Sequence, residues 1–238
     1  MSYSLALEDR HKHSPITRYF HNFRYKKVVQ YIRQAEKELG RAPKVMDIGC
    51  SKGNVYFAIK EYCNLEYIGV ELKEDMAAQG NENMKDEPNA KILNRDASEL
   101  ELYEQNKPDI VMALESFEHI PSGGVFRIIE TISKYENLHL FMASVPVEVG
   151  PAIWVKNIGS ALIGYGRHKE YSASDTFWSG LYKLDKVPRH DCRHKGFDWR
   201  WLAQTIRLHL KIVKTHKSPY DFVPAWLTPT ILFVAKRG

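Results

Sequence analysis

At 238 residues, with 26% charged and 44% hydrophobic residues, the chain suits one α/β domain, or one domain carrying a sizeable insertion, and its composition excludes disordered, fibrous and collagen-like polypeptides. Cys50, Cys63 and Cys192 are odd in number and scattered, which argues against a disulfide framework and for reduced thiols in a cytosolic compartment. The first ten residues lack the apolar core of a secretory leader, and no apolar run approaches the roughly 20 residues of a transmembrane segment.

The net charge of +5 is unevenly spread. Residues 10–44 are strongly basic, opposed only by Glu36 and Glu38, and the chain is basic again from Lys183 onward. Acids concentrate between Asp47 and Asp175. A solvated surface accounts for this pattern as well as two basic flanks closing over an acidic core, an arrangement that favours an anionic acceptor.

Residues 1–20 read as irregular and, with His11, His13 and His21, as the start of a lid region. Tyr25, Val28, Val29, Ile32, Ala35 and Leu39 recur at helical spacing, and Gly40 and Pro43 end that helix. Val45-Met46-Asp47-Ile48 then reads as a buried strand running into Gly49-Cys50-Ser51-Lys52-Gly53, with a helix beginning near Asn54. Gly49 and Gly53 let backbone approach a ligand closely, and helix N–H groups point at whatever sits there. The second strand, residues 65–71, ends in Glu71, 18 residues beyond Gly53. An acid there grips the ribose hydroxyls of an adenosine ligand, against the alternative of a surface glutamate at a strand end.

A polar helix over residues 73–87 leads to a short strand, Ala90 to Leu93, followed by Asp96-Ala97. Residues 108–113 form a near-continuous apolar run, as expected of a strand covered on both faces. Val125, Ile128, Ile129 and Ile132 mark an amphipathic helix, and residues 138–145 a fifth strand. Residues 146–190 break this rhythm. They are rich in glycine, lysine and aromatics, including Trp154, Tyr165, Tyr171 and Trp178, and are too long for an ordinary connection. They read as a substrate cap, with His168 and His190 as ordinary surface residues. Phe197, Leu202, Ile206 and Leu210 suggest a further helix, and residues 211–215 and 230–235 two closing strands.

The glycine turn, Asp-x-Gly-x-Ser-x-Gly from Asp47 to Gly53, lacks the full G-x-G-x-x-G fingerprint of dinucleotide enzymes. It resembles the first motif of class I S-adenosylmethionine-dependent methyltransferases, with Ser51 where that family usually has its middle glycine. Glu71 and Asp96-Ala97 follow in the family's order. The resemblance implies a Rossmann-like three-layer αβα sandwich whose seven-stranded, mostly parallel sheet has an antiparallel last strand. It implies S-adenosyl-L-methionine as cofactor, bound by Asp47, Gly49, Ser51, Gly53, Glu71, Leu72, Asp96, Ala97 and Leu114. The chain then divides into an N-terminal lid and first helix (1–44), a cofactor core (45–145), a cap (146–190) and a closing helix with strands (191–238).

Beyond strand four stands Leu114-Glu115-Ser116-Phe117-Glu118-His119-Ile120. On one helical turn Glu115, Glu118 and His119 would face the same way and could hold a divalent cation. The string resembles those of ubiquinone-pathway O-methyltransferases and of small-RNA 2′-O-methyltransferases. In the second group these residues bind Mg²⁺ or Mn²⁺ together with a histidine before a Phe-Glu-Trp string. Here His194-Lys195-Gly196-Phe197-Asp198-Trp199 departs from that pattern by one inserted residue, Gly196, and by Asp198 for Glu. The resemblance thus implies Glu115, Glu118, His119 and His194 as metal ligands. Without a metal, His119 with Glu118 serves as the acid–base group.

The favoured expectation is O-methylation of a small-molecule, glycan or lipid-linked hydroxyl. RNA 2′-O-methylation stands second, since no appended RNA-binding module is recognisable. A non-catalytic S-adenosylmethionine-binding protein is the alternative outside catalysis. A nicotinamide-dependent dehydrogenase is disfavoured by the absent fingerprint and by Asp47. Oligomeric state is not legible.

Overall fold

The computed structural model describes residues 15–162, 171–188 and 194–238, without the side chains of 15–22 and 158–162. His11, His13, Tyr165, His168, His190 and Cys192 lie outside the described residues, as does the side chain of His21.

Seven strands build one sheet: β1 (Lys44–Ile48), β2 (Glu66–Val70), β3 (Ala90–Leu93), β4 (Ile110–Leu114), β5 (Leu140–Pro146), β6 (Lys211–Lys217) and β7 (Thr230–Lys236). Their order is β3-β2-β1-β4-β5-β7-β6. The first five are mutually parallel, and β7 runs antiparallel to both neighbours. The chain reverses its direction of travel across the sheet between β1 and β4, so a crevice opens beyond their carboxyl ends. No helix among the described residues is long and apolar enough to cross a membrane.

The helices are α1 (Pro15–Leu39), α2 (Asn54–Ile59), α3 (Glu74–Asn83), α4 (Leu100–Asn106), α5 (Ser122–Lys134), α6 (Ala152–Leu162), α7 (Ala173–Gly180) and α8 (Trp199–His209). They cover both faces because the strands alternate. Met46 and Ile48 of β1 join the core under α4, α5 and α8, while Val45 joins the core under α1, α2 and α3. In β4, Val111 and Ala113 face one layer and Ile110, Met112 and Leu114 the other. This is the three-layer sandwich expected from the sequence.

Two elements differ from the sequence reading. The first helix starts at Pro15, several turns before Tyr25, where the sequence reading begins the apolar stripe. Proline is well suited to open a helix, and Ile16, Tyr19, Phe20 and Phe23 already stand at helical spacing ahead of Tyr25. Helix α4 was not anticipated, because only seven residues form it and just Leu102 and Tyr103 are buried. The cap contains α6 and α7, packed against each other. Ser172 and Asp175 form a reciprocal cap at the start of α7.

Candidate active site

The turn after β1 is built around close approaches. Gly49 has φ +69°, and a Cβ there would stand 2.7 Å from Ser116 Cβ, so only glycine fits beside the chain leaving β4. Ser51 also adopts a left-handed backbone, φ 52°, at the position the family fills with glycine. Its N–H donates to Glu71 Oε2 at 3.0 Å, and the Lys73 N–H donates to Glu71 Oε1 at 3.0 Å. The Glu71 carboxylate is thereby fixed at the end of β2 with lone pairs left for two hydroxyl donors. Asn94 donates to the carbonyls of Glu71 and Leu72, at 3.0 and 2.9 Å, and so ties the β3 end to the same turn. Asp96 accepts the Ser98 N–H at 2.8 Å, and the Ala97 carbonyl accepts the buried Tyr103 hydroxyl at 2.6 Å.

These segments surround a cavity of about 690 Å³ at the carboxyl ends of the strands. Gly49, Ser51, Glu71, Leu72, Asp96, Ala97, Glu115 and His119 all line it. Asp47, Gly53 and Leu114 do not. Asp47 lies beneath the cavity, fully buried, and accepts the Tyr67 hydroxyl at 2.7 Å. Burial pushes its carboxyl up to about 7, against the lowering pull of Tyr67 and Arg24. Gly53 faces the Met84 side chain, and Leu114 is buried in the core behind the crevice.

The stretch beyond β4 is not one helical turn. Glu115 sits at φ 54°, and the 3-10 turn spans only Phe117–His119. Glu115 lines the same cavity as His119 and lies near Glu118, but its carboxylate is engaged elsewhere. It receives Arg24 of α1 at 3.1 Å and the Ser144 hydroxyl at 3.2 Å. Glu118 is buried, and neither carboxylate oxygen has a hydrogen-bond partner among the described residues. Its Oε1 lies 3.7 Å from His194 Nδ1, too far for a hydrogen bond. The His119 and His194 rings meet edge to face with centroids 4.6 Å apart. One ligand atom each from Glu118, His119 and His194 falls within 4.8 Å of the others. Burial, with Glu115 and then Glu148 nearby, pushes the Glu118 carboxyl well above the usual range.

A buried carboxylate facing two imidazoles is a mixed oxygen–nitrogen donor set that could hold a divalent transition-metal ion, whereas Mg²⁺ favours oxygen ligands alone. A cation there would supply the charge that burial and the neighbouring acids deny Glu118. Three of the four expected ligands thus converge, and the fourth, Glu115, stands outside that group in an ion pair with Arg24.

Two residues escaped the sequence reading. Arg24 is buried on the stripe it shares with Val28 and Ile32, so an arginine in that apolar register was the available signal. Glu148 is fully buried among valines just past β5, and an acid inside Val145-Pro-Val-Glu-Val was the corresponding sign.

A family model described as a methyltransferase domain matches residues 45–135. Comparison with curated proteins gives no match. Among solved structures, the methyltransferase domain of bacterial CtHen1-CN is similar at a TM-score of 0.61 and 13% identity, covering 91% of this chain and 99% of that one. The magnesium protoporphyrin IX methyltransferase of Synechocystis PCC 6803, solved with bound S-adenosylhomocysteine, gives 0.55 at 14% identity over 95% and 88%. An S-adenosylmethionine-dependent methyltransferase of Clostridium acetobutylicum gives 0.57 at 14% identity over 90% and 92%. With the glycine turn, Glu71 and Asp96 gathered around one cavity inside the matched segment, residues 45–135 form a methyltransferase domain, and the chain has the Rossmann-like fold of the class I S-adenosylmethionine-dependent methyltransferases it is similar to.

Proposed function

We propose that the chain methylates a sugar hydroxyl of a small-molecule or glycan acceptor, with a divalent cation held by Glu118, His119 and His194. The observation that carries this reading is the buried, unsatisfied Glu118 carboxylate beside two imidazoles, one of which, His119, also lines the cofactor cavity. Glu71 takes the ribose hydroxyls, Asp96 and Ala97 border the adenine, and the Gly49–Gly53 turn lets the nucleoside approach the backbone. Glu118, His119 and His194 orient the acceptor beyond the far end of that pocket. A divalent cation held by Glu118, His119 and His194 would supply Lewis-acid polarisation of the acceptor oxygen. The acceptor oxygen bonds the methyl carbon in line as the carbon–sulfur bond breaks, S-adenosylhomocysteine leaves and the hydroxyl proton passes to solvent, so the protein contributes position and charge. Cys50 and Cys63 are buried free thiols, which suits a cytoplasmic setting.

RNA 2′-O-methylation is the second reading. The same cluster favours it, because the Glu118, His119 and His194 string resembles that of the small-RNA enzymes. A metal-free variant, with His119 as base, is favoured by the exposure of His119 at the cavity wall.

Transfer of labelled methyl from S-adenosylmethionine to nucleotide sugars, lipid-linked glycans and 3′-hydroxyl RNA oligomers tests all three. The expected result is an alkali-stable ether on a glycan that disappears in EDTA and returns with Mn²⁺. Label on RNA alone selects the second reading. Full activity in EDTA with His119→Ala inactive selects the metal-free one, and label on an amine removes all three.

A further inference from the structure

The inserted Gly196 makes the sequence around His194 depart from the metal-binding pattern it resembles. In the structure that insertion is a fastened turn. Gly196 is buried with φ +75°, and the Phe197 N–H closes onto the His194 carbonyl at 3.1 Å. The Gly196 N–H donates to the Tyr171 hydroxyl at 3.1 Å, and that hydroxyl donates to Glu148 Oε2 at 3.4 Å. Tyr171 is 4% exposed and Glu148 0%, so both contacts are shielded from water. Lys156 anchors Glu148 in turn. Its ammonium lies 3.4 Å from Glu148 Oε1 and donates to the carbonyls of Val147 and Pro229 at 2.7 and 2.9 Å. The adjacent Lys195, itself buried, donates to Asp175 of α7 at 2.7 Å.

The two residues following His194 are thus both secured to the cap, and His194 is left facing Glu118 and His119. We propose that Glu148 and Tyr171 are positioning residues: a relay from the end of β5 through the cap that sets the His194 turn against Glu118 and His119. This inference rests on the metal-assisted reading above. Neither Glu148 nor Tyr171 lines the cavity at the carboxyl ends of the strands. The relay converts a partly exposed loop histidine, whose side chain is 36% exposed, into a fixed one. Small displacements matter here, because a metal ligand set tolerates only tenths of an ångström.

The test uses the full-length chain and Tyr171→Phe, which keeps the ring and removes the hydroxyl, with Glu148→Gln and Glu148→Ala. Mn²⁺ affinity is measured by titration calorimetry, S-adenosylhomocysteine affinity in parallel, and the histidine ring resonances by NMR without metal. Tyr171→Phe should weaken Mn²⁺ binding tenfold or more and shift or broaden the His194 signals. Binding of S-adenosylhomocysteine and the His139 and His216 signals should stay unchanged. Glu148→Gln, which still accepts from the hydroxyl, should retain most of what Glu148→Ala loses. Unchanged His194 signals in Tyr171→Phe overturn the relay. Absence of Mn²⁺ binding by the unsubstituted chain overturns the metal reading instead, while the NMR result still decides whether the relay holds His194.

Discussion

The proposed cofactor half and the proposed acceptor half of this site are assembled in opposite ways. The cofactor side uses segments that follow one another along the chain, each at the carboxyl end of successive strands β1, β2 and β3, with parallel register bringing them level. Its contacts are short-range and largely backbone. Ser51 N–H meets Glu71, and Asn94 meets the Glu71 and Leu72 carbonyls. The acceptor side gathers Arg24 from α1, Glu115 and Glu118 from beyond β4, Glu148 from beyond β5 and His194 from beyond the cap. Arg24, Glu118 and Glu148 are buried, Glu115 and His194 half-buried, and they come from segments far apart in the chain. A sheet edge can thus specify a nucleoside pocket by order alone, whereas the reacting end requires long-range charge pairing.

If the two halves are separable in this way, substitutions should divide cleanly. Glu118→Ala should lower methyl transfer by a factor of about 10³, in the range for removing an electrostatic catalytic group. S-adenosylhomocysteine affinity, read by calorimetry, should stay within about threefold. A parallel loss of cofactor binding would break the division.

Arg24→Ala removes the counter-charge of Glu115 and should cost roughly 3–5 kcal/mol, as for breaking a buried ion pair. A melt should fall by roughly 10 °C or more, and an unchanged melt would show that α1 carries no part of the acceptor-side cluster. Glu71→Ala should weaken S-adenosylhomocysteine binding by about 1–3 kcal/mol, the range for losing charged hydrogen bonds, and leave Mn²⁺ affinity alone.

Asp47 sharpens the comparison through pH. Its folded carboxyl titrates at about 7, above its value in the unfolded chain, so the fold favours the protonated form. Stability from this group is therefore present below about pH 4, falls as pH rises toward 7, and its loss is complete above that. Asp47→Asn should raise the melting temperature of the ligand-free protein by a few degrees at pH 8 and by less at pH 5. Equal shifts at both pH values would show that Asp47 is ionised throughout. The smallest effect is expected at Ser51→Gly. A left-handed serine costs on the order of 1 kcal/mol, so the glycine should bind cofactor equally well and be slightly more stable.

The sheet was legible because β1, β2, β4 and β5 are apolar runs bounded by turn residues, and a buried strand needs little more. The glycine turn, Glu71 and Asp96-Ala97 were legible because their spacing along the chain is also their spacing along the sheet edge. Helix α4 was hidden by its length. Arg24 was hidden because an arginine inside an apolar stripe has no local explanation until Glu115 is seen opposite.

By itself, then, the order of residues determined the α/β architecture and the gathering of the glycine turn, Glu71 and Asp96-Ala97 at one sheet edge, since both follow from periodicity and from order along the chain. Only tertiary structure decided that Glu115 pairs with Arg24 while His194 comes to face Glu118 and His119. The reason is that the energy of a buried charge depends on what surrounds it in space, and those surroundings come from segments up to about 170 residues apart, from Arg24 to His194.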